Sequence, residues 1–319
     1  MQKNIFILFL LFIVQLHFAQ TESPQVKELK AIIAKSGEYL SNLECDKSLG
    51  LAKTALEKAL EIDDYEQTAR AYNLIGLNLE QYSDYKKAIF FYQKGLKYVD
   101  QSSNNFMQYA IHTNLANCYC FKKINYKKGI YHYKKALYFV NLSNDEYQIM
   151  YANLNITSAY FAVGDYNSGI GYLKIAERFI ISQDDVESKI MYNSLQGDYF
   201  SSKNDFIKSE QYYKTALKFC NENTTEFLKS NAAEVYDDIA RMYAKKKDFS
   251  NAFEYMEKYS ALKDKLLEEE HSQVERQTGI TTVLNEYKRQ INNIEFEKNQ
   301  QLELINQNKK LQFYCLYFQ

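Results

Sequence analysis

The chain has 319 residues and a formal net charge of −1, so its overall charge provides no attraction toward nucleic acid or an anionic membrane. Hydrophobic residues make up 46% and charged residues 25% of the chain, which is ordinary for a soluble folded protein. A single proline favours helix throughout, because proline breaks helix interiors and populates turns.

Residues 1–19 are predicted to be a secretory signal peptide and not part of the fold. Lys3 precedes an apolar run over residues 5–14, and Ala19 offers a small residue for cleavage before Gln20. This run is short for a membrane span, which needs about 20 residues. An uncleaved membrane anchor is the alternative. Lipid attachment has no acceptor, because no cysteine directly follows the run.

Six copies of one short pattern follow at nearly constant intervals. A typical copy has an acidic or amide residue, then an aromatic residue, and then small, apolar and small residues spaced by three or four. The best-defined copy consists of Asp84, Tyr85, Ala88, Tyr92 and Gly95. A period of this size predicts a solenoid of stacked units. The first small residues of the six copies lie 40 to 43 residues apart, at Ser48, Ala88, Gly129, Gly169, Ser209 and Ala252.

Each copy is interpreted as the second helix of a helix pair. Spacings of three and four place the small and aromatic residues on one helical face, where a neighbouring helix can approach closely. The residue that opens a copy, such as Asp84 or Asp205, stands where a helix N-cap belongs. Another helical face lies about 12 residues upstream of each first small residue. Each unit is therefore predicted to be two antiparallel helices joined by a tight turn.

This arrangement resembles the tetratricopeptide repeat family over residues 26–260. The family has Leu-Gly and Tyr in its first helix and Ala, Phe and Ala in its second, a style that residues 114–119 and 84–88 match. The chain departs from the family in its interval, which is usually about 34 residues, and in lacking the proline that closes each unit. The resemblance implies an all-α tetratricopeptide-repeat solenoid of about six helix pairs, assigned to residues 20–260.

Residues 261–312 are predicted to form a long helix that includes a coiled-coil segment. We expect a parallel homodimer through residues 280–311, and a solvated single helix is the alternative. The tail at residues 313–319 is apolar but too short to span a bilayer, and it is the only part expected to contact a membrane. Alternating spacings of four and three define a heptad seam at Ile280, Leu284, Tyr287, Ile291 and Ile294.

The order of signal peptide, repeat array, coiled coil and apolar tail resembles the exported part of bacterial membrane-linked sensor and regulator proteins. Those proteins continue through a membrane helix into a regulator domain, so we expect this chain to be C-terminally truncated by comparison, with a tail that packs onto the membrane or a partner as the alternative. The resemblance implies a protein that is exported in a bacterium, to the periplasm or to a membrane-associated position. No DNA-binding or kinase motif is present, so those activities are not transferred.

No pattern of catalytic or metal-binding residues stands out. His112 and His132 fall on different helices of the third unit, and His112 takes the large first position of its repeat, which indicates packing. Zinc motifs, phosphate-binding loops and nucleophile turns are lacking. We therefore expect no enzyme activity, no metal and no cofactor. The tyrosines occupy repeat core positions in a chain that is not basic, so nucleic acid is not expected as a partner.

The cysteines do not form a disulfide framework, because their number is odd and their spacing irregular. Cys118 and Cys120 are two residues apart on a predicted helix, so their side chains point to different faces and cannot pair easily. We expect buried free thiols that act as small hydrophobic residues. The five are Cys45, Cys118, Cys120, Cys220 and Cys315.

A partner-binding groove is expected along the first helices, because these line the concave surface in the tetratricopeptide family. Asn73 and Asn117 occupy places where some members grip a peptide backbone or a terminal carboxylate. Only Arg70 is available as a cationic neighbour, so a carboxylate clamp is not expected to form. An ordinary polar surface is the alternative. The candidate groove residues are Arg70, Asn73, Glu80, Thr113, Asn117, Tyr151, Phe161, Asp198, Asp237 and Arg241.

These observations lead to a hypothesis of non-enzymatic protein or peptide binding. The domain order favours the sensory or scaffold part of an envelope signalling system, in which ligand capture in the groove biases the coiled coil. A periplasmic assembly scaffold without a signalling role is the alternative.

Overall fold

The computed structural model describes residues 23–102, 104–121, 124–180, 182, 185–221, 226–266, 293 and 296–305. These residues are helical apart from short turns, so the expected all-α fold class is confirmed. In chain order the helices are α1 (Pro24–Ser41), α2 (Cys45–Glu61), α3 (Tyr65–Gln81), α4 (Tyr85–Val99), α5 (Asn105–Phe121), α6 (Tyr126–Ser143), α7 (Glu146–Ala162), α8 (Tyr166–Ile180), α9 (Val186–Ser202), α10 (Phe206–Asn221), α11 (Glu226–Lys245), α12 (249–266) and α13 (296–305).

The chain divides into two compact units, Met1–Lys263 and Asp264–Gln319. The first contains the repeat array, and the second contains α13, on which Leu302, Leu304 and Ile305 are exposed. The predicted signal peptide, the apolar tail and most of the predicted coiled-coil segment lie outside the described residues.

Helices α1 to α12 form six consecutive pairs, as the repeat pattern predicts. Both helices of each pair pack together, and α12 packs against α11 through Ala252, Tyr255 and Leu262. The first helices also contact one another from unit to unit, as α1 and α3 or α7 and α9 do. The second helix of each unit packs against the first helix of the next. The first helices therefore form one layer of the solenoid and the second helices the other.

The acidic and amide residues that open the repeat patterns are helix caps. Asp84, Asn125, Asp165, Asp205 and Asp248 each accept a hydrogen bond from the backbone N–H three residues ahead, at 3.0–3.3 Å. This contact satisfies a donor that has no partner inside the helix. The cap interpretation is confirmed for these five copies. Glu44, in the first copy, makes no such side-chain hydrogen bond.

In every unit except the third, the turn between the two helices has a left-handed residue just before the cap position. Ser83 and Asn204 have φ values of 56° and 62° there. The next backbone N–H then bonds to the carbonyl oxygen five residues earlier, as Asp84 does to Leu79 at 2.9 Å. In the third unit Asn125 instead bonds to the carbonyl six residues earlier. That additional residue explains the interval of 41 between the second and third copies.

The core of several units depends on an aromatic ring from one helix lying against a glycine of the other. Tyr92 and Tyr213 of the second helices are fully buried. Their rings occupy the space that a Cβ atom would need on Gly76 and Gly197 of the first helices. At Gly197 such an atom would lie 2.5 Å from the Tyr213 ring. The small residues of the pattern therefore make room for its aromatic residues.

Replacing Gly197 by alanine should lower the free energy of unfolding by about 1–3 kcal/mol, because the new methyl group would meet the Tyr213 ring. Gly50→Ala is the matched control, since this helical glycine has no atom within 4 Å of an added Cβ. The control should raise the free energy of unfolding by about 0.5–1 kcal/mol, because alanine favours helix. Urea titration followed by circular dichroism measures both. Equal effects of the two substitutions would contradict this packing.

Candidate binding surface of the first helices

The first helices α3, α5 and α7 are buried around most of their circumference and leave one stripe partly accessible. In α3 the stripe holds Arg70, Asn73 and Glu80, whereas Tyr72 and Ile75 between them are buried. Spacings of three and four residues put the accessible residues on one face. A row of such stripes crosses the layer of first helices, and we call it the first-helix surface.

Nine of the ten candidate groove residues are at least partly accessible on the first helices. Arg241 is exposed, and the others are half-buried. The half-buried ones are Arg70, Asn73, Glu80, Thr113, Asn117, Tyr151, Asp198 and Asp237.

The expectation that Phe161 lines the groove is wrong. Its side chain is only 6% exposed, and its ring packs against those of Tyr166 and Tyr199. The packing is possible because Gly169 of α8 has no side chain, and an added Cβ there would lie 2.6 Å from the Phe161 ring. Phe161 therefore belongs to the core between the helices of the fourth and fifth units.

Repeat tyrosines from the second helices hold three of the groove residues in place. The hydroxyl group of Tyr133 donates a hydrogen bond to Asn117 at 2.6 Å, and that of Tyr213 donates to Asp198 at 2.7 Å. Tyr92 likewise donates to the carboxylate of Glu80. Burial raises the pKa of Glu80. Polar groups of the first-helix surface are therefore fixed from the layer beneath them.

The second and third units are linked across this surface by a pair of amides. Asn114 donates a hydrogen bond to Asn73 at 2.9 Å. Sequence reasoning selected Asn73 and missed Asn114, although both lie on first helices about one repeat apart. Arg70 forms an ion pair with Glu66 at 2.9 Å on its own helix. The surface here is thus mainly neutral and amide-rich.

The fourth unit adds an aromatic residue and small polar residues to the surface. Tyr151 donates a hydrogen bond to Asp185 at 2.6 Å, which connects this unit to the start of α9. Ser158 is exposed, and it stands 41 residues after Asn117 and 40 before Asp198. It therefore occupies the same register position as those two groove residues. Sequence reasoning did not select it, because serine carries little chemical signal.

The fifth and sixth units give the surface a cluster of acidic residues around Arg241. Arg241 pairs with Asp237 at 3.3 Å and also with Asp238. Burial raises the pKa of Asp198 and of Asp238, and the Asp198 charge raises that of Asp238 further. Asp238 was not selected from the sequence, which showed only two adjacent acids. Its closeness to Asp198 arises from the contact between α9 and α11.

The packing interpretation of His112 is confirmed. It is buried and its ring stacks on Phe139 with centroids 5.8 Å apart. Its Nδ1 atom lies 2.9 Å from the Nδ1 atom of His132, whose ring stacks on Tyr119. Burial lowers the pKa of both histidines to about 4. Within the described ranges, no group of three or more side chains could hold a metal ion.

The described cysteines are free thiols. Cys118 and Cys220 are buried as expected, whereas Cys45 and Cys120 are half-buried. Burial raises the pKa of Cys120 and of Cys220 to about 11. These thiols therefore stay protonated at neutral pH, and the fifth cysteine lies outside the described residues.

The paired helices and the accessible stripe define the chain as a tetratricopeptide-like helical solenoid with a polar first-helix surface. Its fold is similar to the apo form of RapI (18% identity, 80% of this chain and 90% of that chain, TM-score 0.58). It is also similar to NprR in complex with its cognate peptide NprX (13% identity, 82% of this chain and 74% of that chain, TM-score 0.60). A third similar structure contains TPR-like repeats of a putative kinesin light chain from Podosopora anserina (8% identity, 64% of this chain and 100% of that chain, TM-score 0.50).

Identities this low show a shared fold and no more. No protein-family model matches the chain, and no curated protein sequence matches it. Among the helices that the structure describes, none combines the length and the apolar character needed to cross a membrane.

The acidic cluster predicts a pH dependence of stability. The pKa of Asp238 is raised in the folded chain above the unfolded value of about 3.9. The folded state therefore binds more protons than the unfolded state between these two pKa values, and stability falls as pH rises through that window. Asp238→Asn removes the repulsion from Asp198, so it should raise the urea midpoint at pH 8 more than at pH 5.

Asp237→Asn is the control for this prediction, because it removes the same charge from the same helix and also borders Arg241. It should leave the difference between pH 5 and pH 8 close to that of the unchanged chain. If both variants alter the difference equally, the close approach of Asp198 and Asp238 is not its cause.

Proposed function

We propose that this chain is a non-enzymatic module that binds a peptide or an extended protein segment along its first-helix surface. The observation that carries the proposal is the stripe of polar side chains held from below by tyrosine hydroxyl groups, as Asn117 is by Tyr133. Side chains fixed in advance lose little conformational entropy when a ligand binds. The surface is therefore prepared for recognition, with no catalytic group among its residues.

The chemistry of this surface suits an extended peptide backbone. An amide side chain both donates and accepts hydrogen bonds, as a peptide group does. Asn73, Asn114 and Asn117 supply such groups in the second and third units. A peptide could exchange the bond between Asn73 and Asn114 for bonds to its own backbone. The similar fold of NprR, a structure that contains its cognate peptide NprX, supports this use of the solenoid.

Selection from a displayed library of random 12-residue peptides against residues 20–319 tests the proposal. An enriched peptide should bind the unchanged chain, and Ser158→Arg should weaken its binding at least tenfold by placing a large cation on the first-helix surface. Asn167→Arg is the control, because Asn167 is exposed near the start of the second helix α8. Fluorescence anisotropy measures both affinities. Equal weakening by the two variants, or no enrichment at all, would contradict the proposal.

We further propose that the module is the exported sensory or scaffold part of an envelope signalling system. The support is the order of sequence features: a signal peptide at residues 1–19, the repeat array, and a heptad seam within residues 280–311. Ligand capture on the array would then be passed to a dimeric coiled coil. The signal peptide and the seam remain predictions from the sequence.

A homodimer through the seam should dissociate when its apolar positions become polar. In Leu284→Asn combined with Ile291→Asn, buried amides would replace seam residues and destabilise the coiled coil. Sedimentation equilibrium of residues 20–319 should then show a monomer. The control combines Asn285→Ser with Asn292→Ser, which lie outside the seam, and should remain a dimer. A monomeric unchanged chain would rule out this part of the proposal.

A further inference from the structure

The second helices carry a positive charge that the net charge of the whole chain conceals. Helices α4 and α6 contain four lysines each and no aspartate or glutamate. Lys87 pairs with the cap residue Asp84 at 2.9 Å. The lysines of the two helices are Lys86, Lys87, Lys94, Lys97, Lys127, Lys128, Lys134 and Lys135.

Most of these lysines are exposed and lack a carboxylate partner. Lys86, Lys97, Lys127 and Lys135 are exposed, and none forms an ion pair with a described residue. Lys134 is exposed as well and lies over the ring of Tyr160. Their charges therefore face solvent without compensation, on helices in the layer opposite the first-helix surface.

The same face of α6 also presents large apolar side chains. Tyr131, Tyr138 and Leu142 are 55%, 59% and 53% exposed. Spacings of seven and four place them on one side of the helix, between Lys127, Lys134 and Lys135. A helix that only faces solvent does not require exposed tyrosine and leucine side chains among its lysines. This patch therefore indicates an interaction site.

The basic character continues along the layer of second helices. Lys134, Lys174 and Lys214 lie 40 residues apart, at the same position of successive repeats, and all three are exposed, but Lys214 is paired with Glu210 at 2.6 Å. On α8, Lys174 and Arg178 flank the exposed Ile175, and the exposed Glu177 offsets one of these two positive charges. The face formed by the exposed lysines and apolar residues of α4, α6 and α8 is called the basic face below.

We propose that the basic face docks on the surface of a bilayer that contains anionic phospholipid. Each lysine near such a surface is attracted to the anionic headgroups. Tyrosine rings settle at the boundary between headgroups and acyl chains, where Tyr131, Tyr138 and Leu142 would insert. The first-helix surface then faces away from the bilayer and stays open to a ligand.

The apolar residues favour a bilayer over other anionic partners. Nucleic acid and an acidic protein segment would satisfy the lysines, but neither offers an apolar interior directly beneath its charges. Arginine, which pairs with phosphates and base edges through two parallel hydrogen bonds, is absent from α4 and α6, and on α8 it occurs once, as Arg178. The combination of lysine, tyrosine and leucine fits the bilayer boundary.

Co-sedimentation of residues 20–319 with vesicles tests the proposal. Vesicles of phosphatidylcholine containing one-third phosphatidylglycerol should bind the chain at least tenfold more tightly than pure phosphatidylcholine, and more weakly at high salt. Lys86→Glu combined with Lys127→Glu should weaken binding to the anionic vesicles at least tenfold. Tyr131→Ser combined with Tyr138→Ser should weaken the binding that remains at high salt.

The matched control combines Lys27→Glu with Lys35→Glu, which change the net charge equally on the exposed side of α1. It should bind anionic vesicles within twofold of the unchanged chain, and circular dichroism verifies that every variant is folded. No preference for anionic vesicles, or equal losses in both lysine variants, would overturn the proposal. Tighter binding to a 20-base-pair DNA duplex or to polyglutamate at the same salt would assign the face to another class of partner.

Discussion

The contact between a tyrosine ring of a second helix and a glycine of the first sets the spacing within the helix pairs that contain it. Tyr92 on Gly76 and Tyr213 on Gly197 are the clearest cases. The ring fills the gap that the missing side chain leaves, and its hydroxyl group reaches a carboxylate on the first-helix surface. One side chain thus serves both the core and the candidate binding surface. In the third unit Tyr133 reaches Asn117 in the same way.

Repeated local features made the fold predictable from the sequence. These features are the helical spacing, cap residues such as Asp84 and small residues such as Ala88. They lie within about 12 positions of one another, so a single sequence was enough to identify them. Phe161 shows the limit of this reading. Its position in the repeat matched those of groove residues. Its ring nevertheless packs in the core, because Gly169 has no side chain and leaves room for it. That outcome depends on two helices at once, and a periodic pattern describes only one.

The contacts between units could not be predicted from the sequence, because they also depend on two helices at once. Asn73 and Asn114 meet, and Asp198 approaches Asp238, because successive first helices touch. The distribution of charge between the two helix layers was likewise not evident from the net charge. A net charge of −1 predicts no attraction to anions, yet lysine collects on α4 and α6 while the acidic cluster lies on the first helices. Composition averages over both layers of the solenoid, and a partner meets only one of them.

The left-handed turn residues lower the stability of the array, so replacing them offers a way to raise it. Gly164 adopts this conformation freely, but Leu43, Ser83, Asn204 and Lys247 adopt it with a side chain. A left-handed backbone costs an ordinary residue about 1–2 kcal/mol. In an array whose stability is nearly a sum over neighbouring units, such costs add along the chain. Glycine at Leu43 and Lys247 would therefore give a more heat-resistant scaffold without touching either surface, a practical route to a protein suited to engineering.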